Sequence, residues 1–141
     1  MNIDEWRSQI KRGTLEFAIL LMISRKERYG YEIISALEQW PILTAKESTI
    51  YPLLRRLLKE ELLTSYWQET QRGLPPRKYY RITDRGRGYL DSMRGDWDNL
   101  LAAIDGMGRD CPESEKKPEA DEGLKRDVVL KMEEGREAGN G

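Results

Sequence analysis

The chain has 141 residues, 38% apolar and 35% charged, with a formal net charge of -1, no histidine and one cysteine. That length allows one domain with an appendage; the missing histidines remove His-based triads and nearly all zinc sites, and a lone Cys111 cannot form an intrachain disulfide. No apolar run approaches the roughly 20 residues of a membrane-spanning helix, and the chain opens on a charged amphipathic stretch rather than a signal peptide, so a reducing, cytoplasmic address is expected.

Ile3, Trp6 and Ile10 recur at helical spacing and predict a short amphipathic helix over residues 1–12 that must dock on something. Gly13 punctuates the chain, and Thr14 is placed to cap a first core helix from Leu15 to about Ser24. A second helix is expected from Tyr29 to Trp40, burying Ile33, Ile34 and Leu37 and ending at Pro41, because the residue before a proline avoids the helical region. The third helix has two candidate starts. Thr44 with Glu47 forms a capping-box pattern, whereas Ser48 would bring Pro52 close to the tolerated first turn. Either start turns Ile50, Leu53, Leu54, Leu57 and Leu58 inward and leaves Thr49, Tyr51, Arg55, Arg56 and Lys59 on the outer flanks.

Strand formers then fill Leu63 to Trp67 and Lys78 to Thr83, joined by a connection whose Pro75 and Pro76 stiffen it into a projecting wing. Strand alternation puts Tyr80 and Ile82 in the core and Tyr79 outside. Thr83 caps a last helix of about Asp84 to Met107, in which Leu90, Met93, Trp97, Leu100, Ile104 and Met107 follow alternating spacings of three and four, the seam of a coiled coil. Residues 108–141 are rich in Glu, Lys, Asp, Gly and Pro, without aromatic residues, and read as a charged, disordered tail in which Leu124, Val128 and Val129 could nucleate a short helix. The expected organisation is a helix-and-wing unit over 1–83, a helix with an apolar seam suited to a partner helix over 84–107 and that tail.

Between Lys46 and Arg87 the chain carries 10 basic against 5 acidic residues, a local excess of five suited to a polyanion. Within that segment the run Ser48-Thr49-Ile50-Tyr51-Pro52-Leu53-Leu54-Arg55-Arg56 offers hydroxyls and guanidinium groups on one side and aliphatic residues on the other. A helix of that kind can pack on a core while probing a groove, with wing basics reaching the phosphates. Capping and packing compete as roles for Thr49 and Tyr51, and plain solvation competes for Arg55 and Arg56.

Tyr29-Gly30-Tyr31-Glu32-Ile33, the Ser48 to Arg56 run, Leu62-Leu63-Thr64-Ser65, and Pro76 through Gly86 occur in an order and spacing that resembles the PadR family of bacterial transcriptional regulators. The resemblance covers roughly residues 12 to 107 and is similar to the smaller subgroup with a single C-terminal helix; the tail has no counterpart. It implies a mainly α winged helix-turn-helix with a small β-wing and a coiled-coil-like C-terminal dimerisation helix. It also implies a homodimeric repressor that places two recognition helices in successive major grooves of an inverted-repeat operator in double-stranded DNA. Carried over residue by residue, the DNA-facing candidates are Ser48, Thr49, Tyr51, Arg55 and Arg56, with Tyr31 near the backbone and Arg72, Arg77 and Lys78 at the wing. Dimer candidates are Trp6 and the seam from Leu90 to Met107. In some relatives an aromatic residue at the position of Trp97 lines a pore where flat aromatic compounds stack, so the resemblance makes Trp97, with Met93, Leu100 and Trp6 as neighbours, a candidate effector contact.

A winged-helix module that binds another protein instead of DNA is the alternative, and the basic segment with Arg55 and Arg56 argues against it. No catalytic constellation is present: Glu60 with Glu61, and Asp96 with Asp98, lack an accompanying His or Cys and read as solvated charge. No cofactor, no metal and no membrane partner are expected, and Cys111 has neither a basic cluster nor a resolving thiol beside it in sequence.

Overall fold

A computed structural model of the protein describes residues 2–109. Cys111, Leu124, Val128 and Val129 lie outside the described residues. The element order is α1 (Ile3–Arg25), β1 (Arg28–Tyr29), α2 (Gly30–Leu37), a 3-10 turn (Pro41–Leu43), α3 (Glu47–Lys59), β2 (Leu63–Gln68), β3 (Arg77–Ile82) and α4 (Asp84–Arg109). Three helices followed by a small antiparallel sheet and a long final helix make a winged helix-turn-helix, as expected. Among the described residues the chain divides into two units between Gly95 and Asp96, within α4.

The two predicted N-terminal helices are one. Asn2 caps α1 by accepting a hydrogen bond from the Glu5 amide at 2.9 Å, with Asp4 and Glu5 in the first turn and Arg25 in the last. Gly13 does not break it. A single glycine costs about 1 kcal/mol against alanine, too little to end a helix whose far half is anchored by Leu15, Ile19, Leu20 and Ile23 in the core. Thr14 does not cap: its hydroxyl donates back to the Ile10 carbonyl at 2.8 Å, the bond a threonine makes inside a helix.

The helix predicted from Tyr29 to Trp40 is shorter at both ends. Arg28 and Tyr29 form β1 instead, pairing with Tyr80 and Tyr79, so the sheet has three strands in the order β1-β3-β2. Two residues are too few to show alternation, which hid the strand. Trp40 lies beyond α2, exposed beside the 3-10 turn. α3 begins at neither predicted cap. Lys46 occupies the cap position, while the Thr44 carbonyl accepts the Lys11 ammonium of α1 at 2.8 Å. Pro52 sits inside α3 on its exposed side, removing one backbone bond without ending the helix.

One core joins the four helices and the two longer strands: Leu15, Ile19, Leu20 and Ile23 of α1, Ile33, Ile34 and Leu37 of α2, Ile50, Leu54 and Leu57 of α3, Leu62 and Leu63 at the start of β2, Tyr80 and Ile82 of β3, and Leu90 of α4. Leu90, 3% exposed, is therefore used within its own chain and has no surface left for a partner, and Met93 packs against the same core. A seam at spacings of three and four identifies an apolar face; it does not say which molecule covers each turn of it. Thr83 caps α4 as predicted, its hydroxyl accepting the Gly86 amide at 2.9 Å. The helix runs past Met107 to include Gly108 and Arg109.

α3 ends in a Schellman motif. The Leu62 amide reaches back to the Leu57 carbonyl and the Glu61 amide to that of Leu58, each at 3.0 Å. The motif needs a left-handed residue at Glu61, which has φ 61°, a conformation costing an L side chain roughly 1–2 kcal/mol. Glu61→Gly is expected to raise the free energy of unfolding by about 1 kcal/mol, allowing for the greater freedom of glycine in the unfolded chain. A urea titration that found the variant less stable would show that the Glu61 side chain contributes more than its backbone strain costs.

Candidate nucleic-acid interface

The helical period of 3.6 residues places Ser48, Pro52, Arg55 and Lys59 opposite the buried Ile50, Leu54 and Leu57, and all four are exposed. Ser48, Arg55 and Lys59 thus form the outermost edge of α3. Thr49 and Arg56 lie together on one flank and Tyr51 on the other.

The two flanks differ. Arg56 turns toward α1 and pairs with Glu16 at 2.5 Å, and both act electrostatically on the Tyr89 phenol of α4, whose proton is held on chiefly by the Glu16 charge. Arg56 is thereby a tether between helices, and its guanidinium is turned away from the outer edge that carries Arg55. Arg55 forms no ion pair with any described residue.

On the other flank the Tyr51 ring lies over Gly30, so close that a β-carbon there would stand 2.6 Å from Cε1 and 2.7 Å from the hydroxyl. Burial, then the charge of Glu47, raises its phenol pKa, so Tyr51 is a neutral donor at physiological pH. Tyr80 is shifted upward as well, first by burial and then by Tyr51, with Arg55 acting in the opposite direction. Tyr31, next to Gly30 at the start of α2, is 61% exposed.

The wing follows from strand alternation. Arg77 and Lys78 are adjacent in β3 and face opposite sides of the sheet. Lys78 shares the inner side with Tyr80, its ammonium 5.9 Å from that ring. Arg77 belongs to the outer side, its guanidinium 4.6 Å above the Tyr29 ring. There, Tyr29, Tyr79 and Tyr66 form a row across the three strands, with centroids 5.5 and 5.7 Å apart, and Arg81 lies over Tyr66 at 4.9 Å. The Glu27 carboxylate accepts from the Tyr66 hydroxyl at 2.6 Å and from Arg81 at 2.5 Å, and these two bonds hold its pKa below the usual carboxylate range. The outer side is thus knitted to itself. In the loop, the Thr70 hydroxyl is within hydrogen-bonding reach of the Leu74 and Pro75 carbonyls, at 3.0 and 3.1 Å; Arg72 is exposed at its tip.

The structure therefore sets Ser48, Tyr51 and Arg55 on the exposed part of α3 and Lys78, half-buried, on the inner side of the sheet, sets Thr49 on the Arg56 flank, ties Arg56 to α1 and turns Arg77 to the other side of the sheet. One residue on the inner side escaped the sequence reading. Trp67, paired with Lys78, is 68% exposed, and the alternation Leu63, Ser65, Trp67 was the signal that placed it there.

Among the described residues, no group of acidic or sulfur ligands is disposed to hold a metal ion, and no helix is long and apolar enough to cross a membrane. Residues 19–92 match the model of the transcriptional regulator PadR-like family. An uncharacterized protein of Lysinibacillus sphaericus is 39% identical over 101 residues, 70% of this chain and 92% of that one. Among solved structures, a PadR family transcriptional regulator from Eggerthella lenta is similar with a TM-score of 0.69 at 31% identity, covering 77% of this chain and 94% of that one. A PadR-like transcriptional regulator from Bacillus cereus gives 0.65 at 36%, covering 72% and 97%.

Proposed function

Because this chain belongs to the transcriptional regulator PadR-like family, we propose that it is a homodimeric, cytoplasmic repressor that binds an inverted-repeat operator through α3 and the wing. The observation that carries this reading is the exposed edge of α3, where Ser48, Arg55 and Lys59 stand opposite the core residues with Tyr51 beside them. A two-fold dimer reads half-sites about one helical turn apart, which calls for a palindromic site.

Two apolar stripes support dimerisation. In the first half of α1, Ile3, Trp6 and Ile10 are 57, 49 and 38% exposed; in the C-terminal part of α4, Leu100, Ile104 and Met107 are 52, 59 and 72% exposed. Apolar surface at such regular spacing is what a helix offers to another helix. Trp97, half-buried at the start of the second stripe, suits a flat aromatic effector stacked between the two copies. Such a molecule would induce by preferring a dimer with altered spacing over the operator-bound one.

Footprinting of the DNA upstream of the protein's own gene at several salt concentrations tests this, with Arg55→Ala set against Arg56→Ala. Wild type should protect an inverted repeat. Arg55→Ala should lose about fivefold in affinity and reduce the slope of log K against log salt by about 1.8, one phosphate contact for each of the two copies. Arg56→Ala should leave affinity within about twofold and cost at most about 1 kcal/mol of stability, as expected for a partly exposed ion pair. Equal losses for the two arginines would mean that Arg56 leaves Glu16 to reach DNA.

A further inference from the structure

We propose that Trp67 is a DNA-contact residue of the wing, laying its indole against deoxyribose at the edge of the minor groove while Lys78 opposite it meets the adjoining phosphate. The proposal rests on the DNA-binding reading above and adds to it a residue and a type of contact.

Leu63, Ser65 and Trp67 of β2 stand opposite Ile82, Tyr80 and Lys78 of β3, all on the inner side of the sheet. The first pair and Tyr80 are buried, but the last pair lies beyond the core, where Trp67 is 68% exposed. Half-buried Lys78 holds its ammonium 5.9 Å from the Tyr80 ring, so the Trp67–Lys78 pair forms the open end of the inner side. The outer side satisfies its own aromatic rings, with Arg77 over Tyr29, Arg81 over Tyr66 and Tyr79 between. Trp67 has no ring or cation contact with any described residue.

A large flat apolar ring next to cations fits a partner that presents an apolar surface bordered by negative charge. The sugar-phosphate edge of duplex DNA is such a partner, and the basic excess between Lys46 and Arg87 complements it. The contact reads no base and should serve all sequences alike.

Equilibrium binding of the full chain tests the proposal, using the wild-type-protected duplex and a mixed-sequence duplex over a salt series. Trp67→Ala should lose about tenfold in affinity for both, with an unchanged salt slope, because an indole releases no counterion. Trp67→Phe should retain most of the affinity, and Lys78→Ala, which removes one phosphate contact from each copy, should lower the slope by about 1.8. Wild-type affinity for Trp67→Ala would overturn the proposal and leave the general DNA-binding reading intact, pointing Trp67 toward an acidic protein surface. A loss accompanied by a lower urea midpoint would also overturn it, as a structural effect. If wild type binds neither duplex, both readings fall together.

Discussion

Gly86→Ala should lower the free energy of unfolding by about 3 kcal/mol, the upper end of the usual cost of overpacking, while the same substitution at Gly88, two residues along the same helix, should raise it by up to about 1 kcal/mol. The opposite signs come from what stands beside each α-carbon. A β-carbon on Gly86 would run into the Leu62 carbonyl and stand 2.8 Å from Ile82 Cγ1, whereas one on Gly88 meets nothing within 4 Å. The Leu62 carbonyl has little freedom to retreat. It accepts the Thr83 amide and lies within bonding reach of the Thr83 hydroxyl, both at 3.1 Å, and that same hydroxyl accepts the Gly86 amide. Shifting it would undo the cap of α4 and the junction between the end of α3 and the start of β2. A loss of that size is a large fraction of the 5–15 kcal/mol typical of a folded domain. Urea unfolding at one fixed protein concentration, so that association does not shift the midpoint, measures both variants. If Gly86→Ala proved as stable as Gly88→Ala, the close approach of α4 to Leu62 would not be what fixes the helix's start.

What could be read from the sequence, and what could not, follows from the range of each interaction. The inward residues of α3, the placement of Tyr80 and Ile82 in the core and the Thr83 cap depend on neighbours within a few positions, and periodicity finds them. The pairing of Tyr29 with Tyr79 and the ion pair of Arg56 with Glu16 join positions 40 or more residues apart, and neither leaves a local pattern. The continuity of α1 through Gly13 depends on burial of the helix that follows, which a breaker signal alone cannot weigh. Leu90 shows a further limit: it fits the seam of α4, yet the core of its own chain claims it. Arg77 and Lys78 form an intermediate case. Once β3 begins at Arg77 instead of Lys78, alternation alone puts the two cations on opposite sides of the sheet, so an error of one residue at a strand's start joined two side chains that the pleat separates.

Gly30→Ala should weaken operator binding by roughly thirtyfold, about 2 kcal/mol, while changing stability by less than about 1 kcal/mol. The methyl group would occupy the place of the Tyr51 ring, with Cε1, Cζ and the hydroxyl all within 2.8 Å of it. Tyr51 is 37% exposed, so its ring can swing out toward solvent without opening the core, which keeps the structural cost small. The same swing carries the hydroxyl away from the place fixed by α2 and lays the ring toward Arg55, one turn along α3. Binding then loses a donor, worth about 1 kcal/mol as a hydrogen bond, and meets a side chain in the path of the groove. This account assigns the whole effect to one ring, so a double-mutant cycle isolates it. In a Tyr51→Ala background no ring remains to displace, and adding Gly30→Ala should alter affinity by less than about twofold. If Gly30→Ala still cost tenfold or more in that background, the glycine would matter through the start of α2 itself, where Tyr31 is exposed beside it, and Tyr51 would not be the link between the two helices.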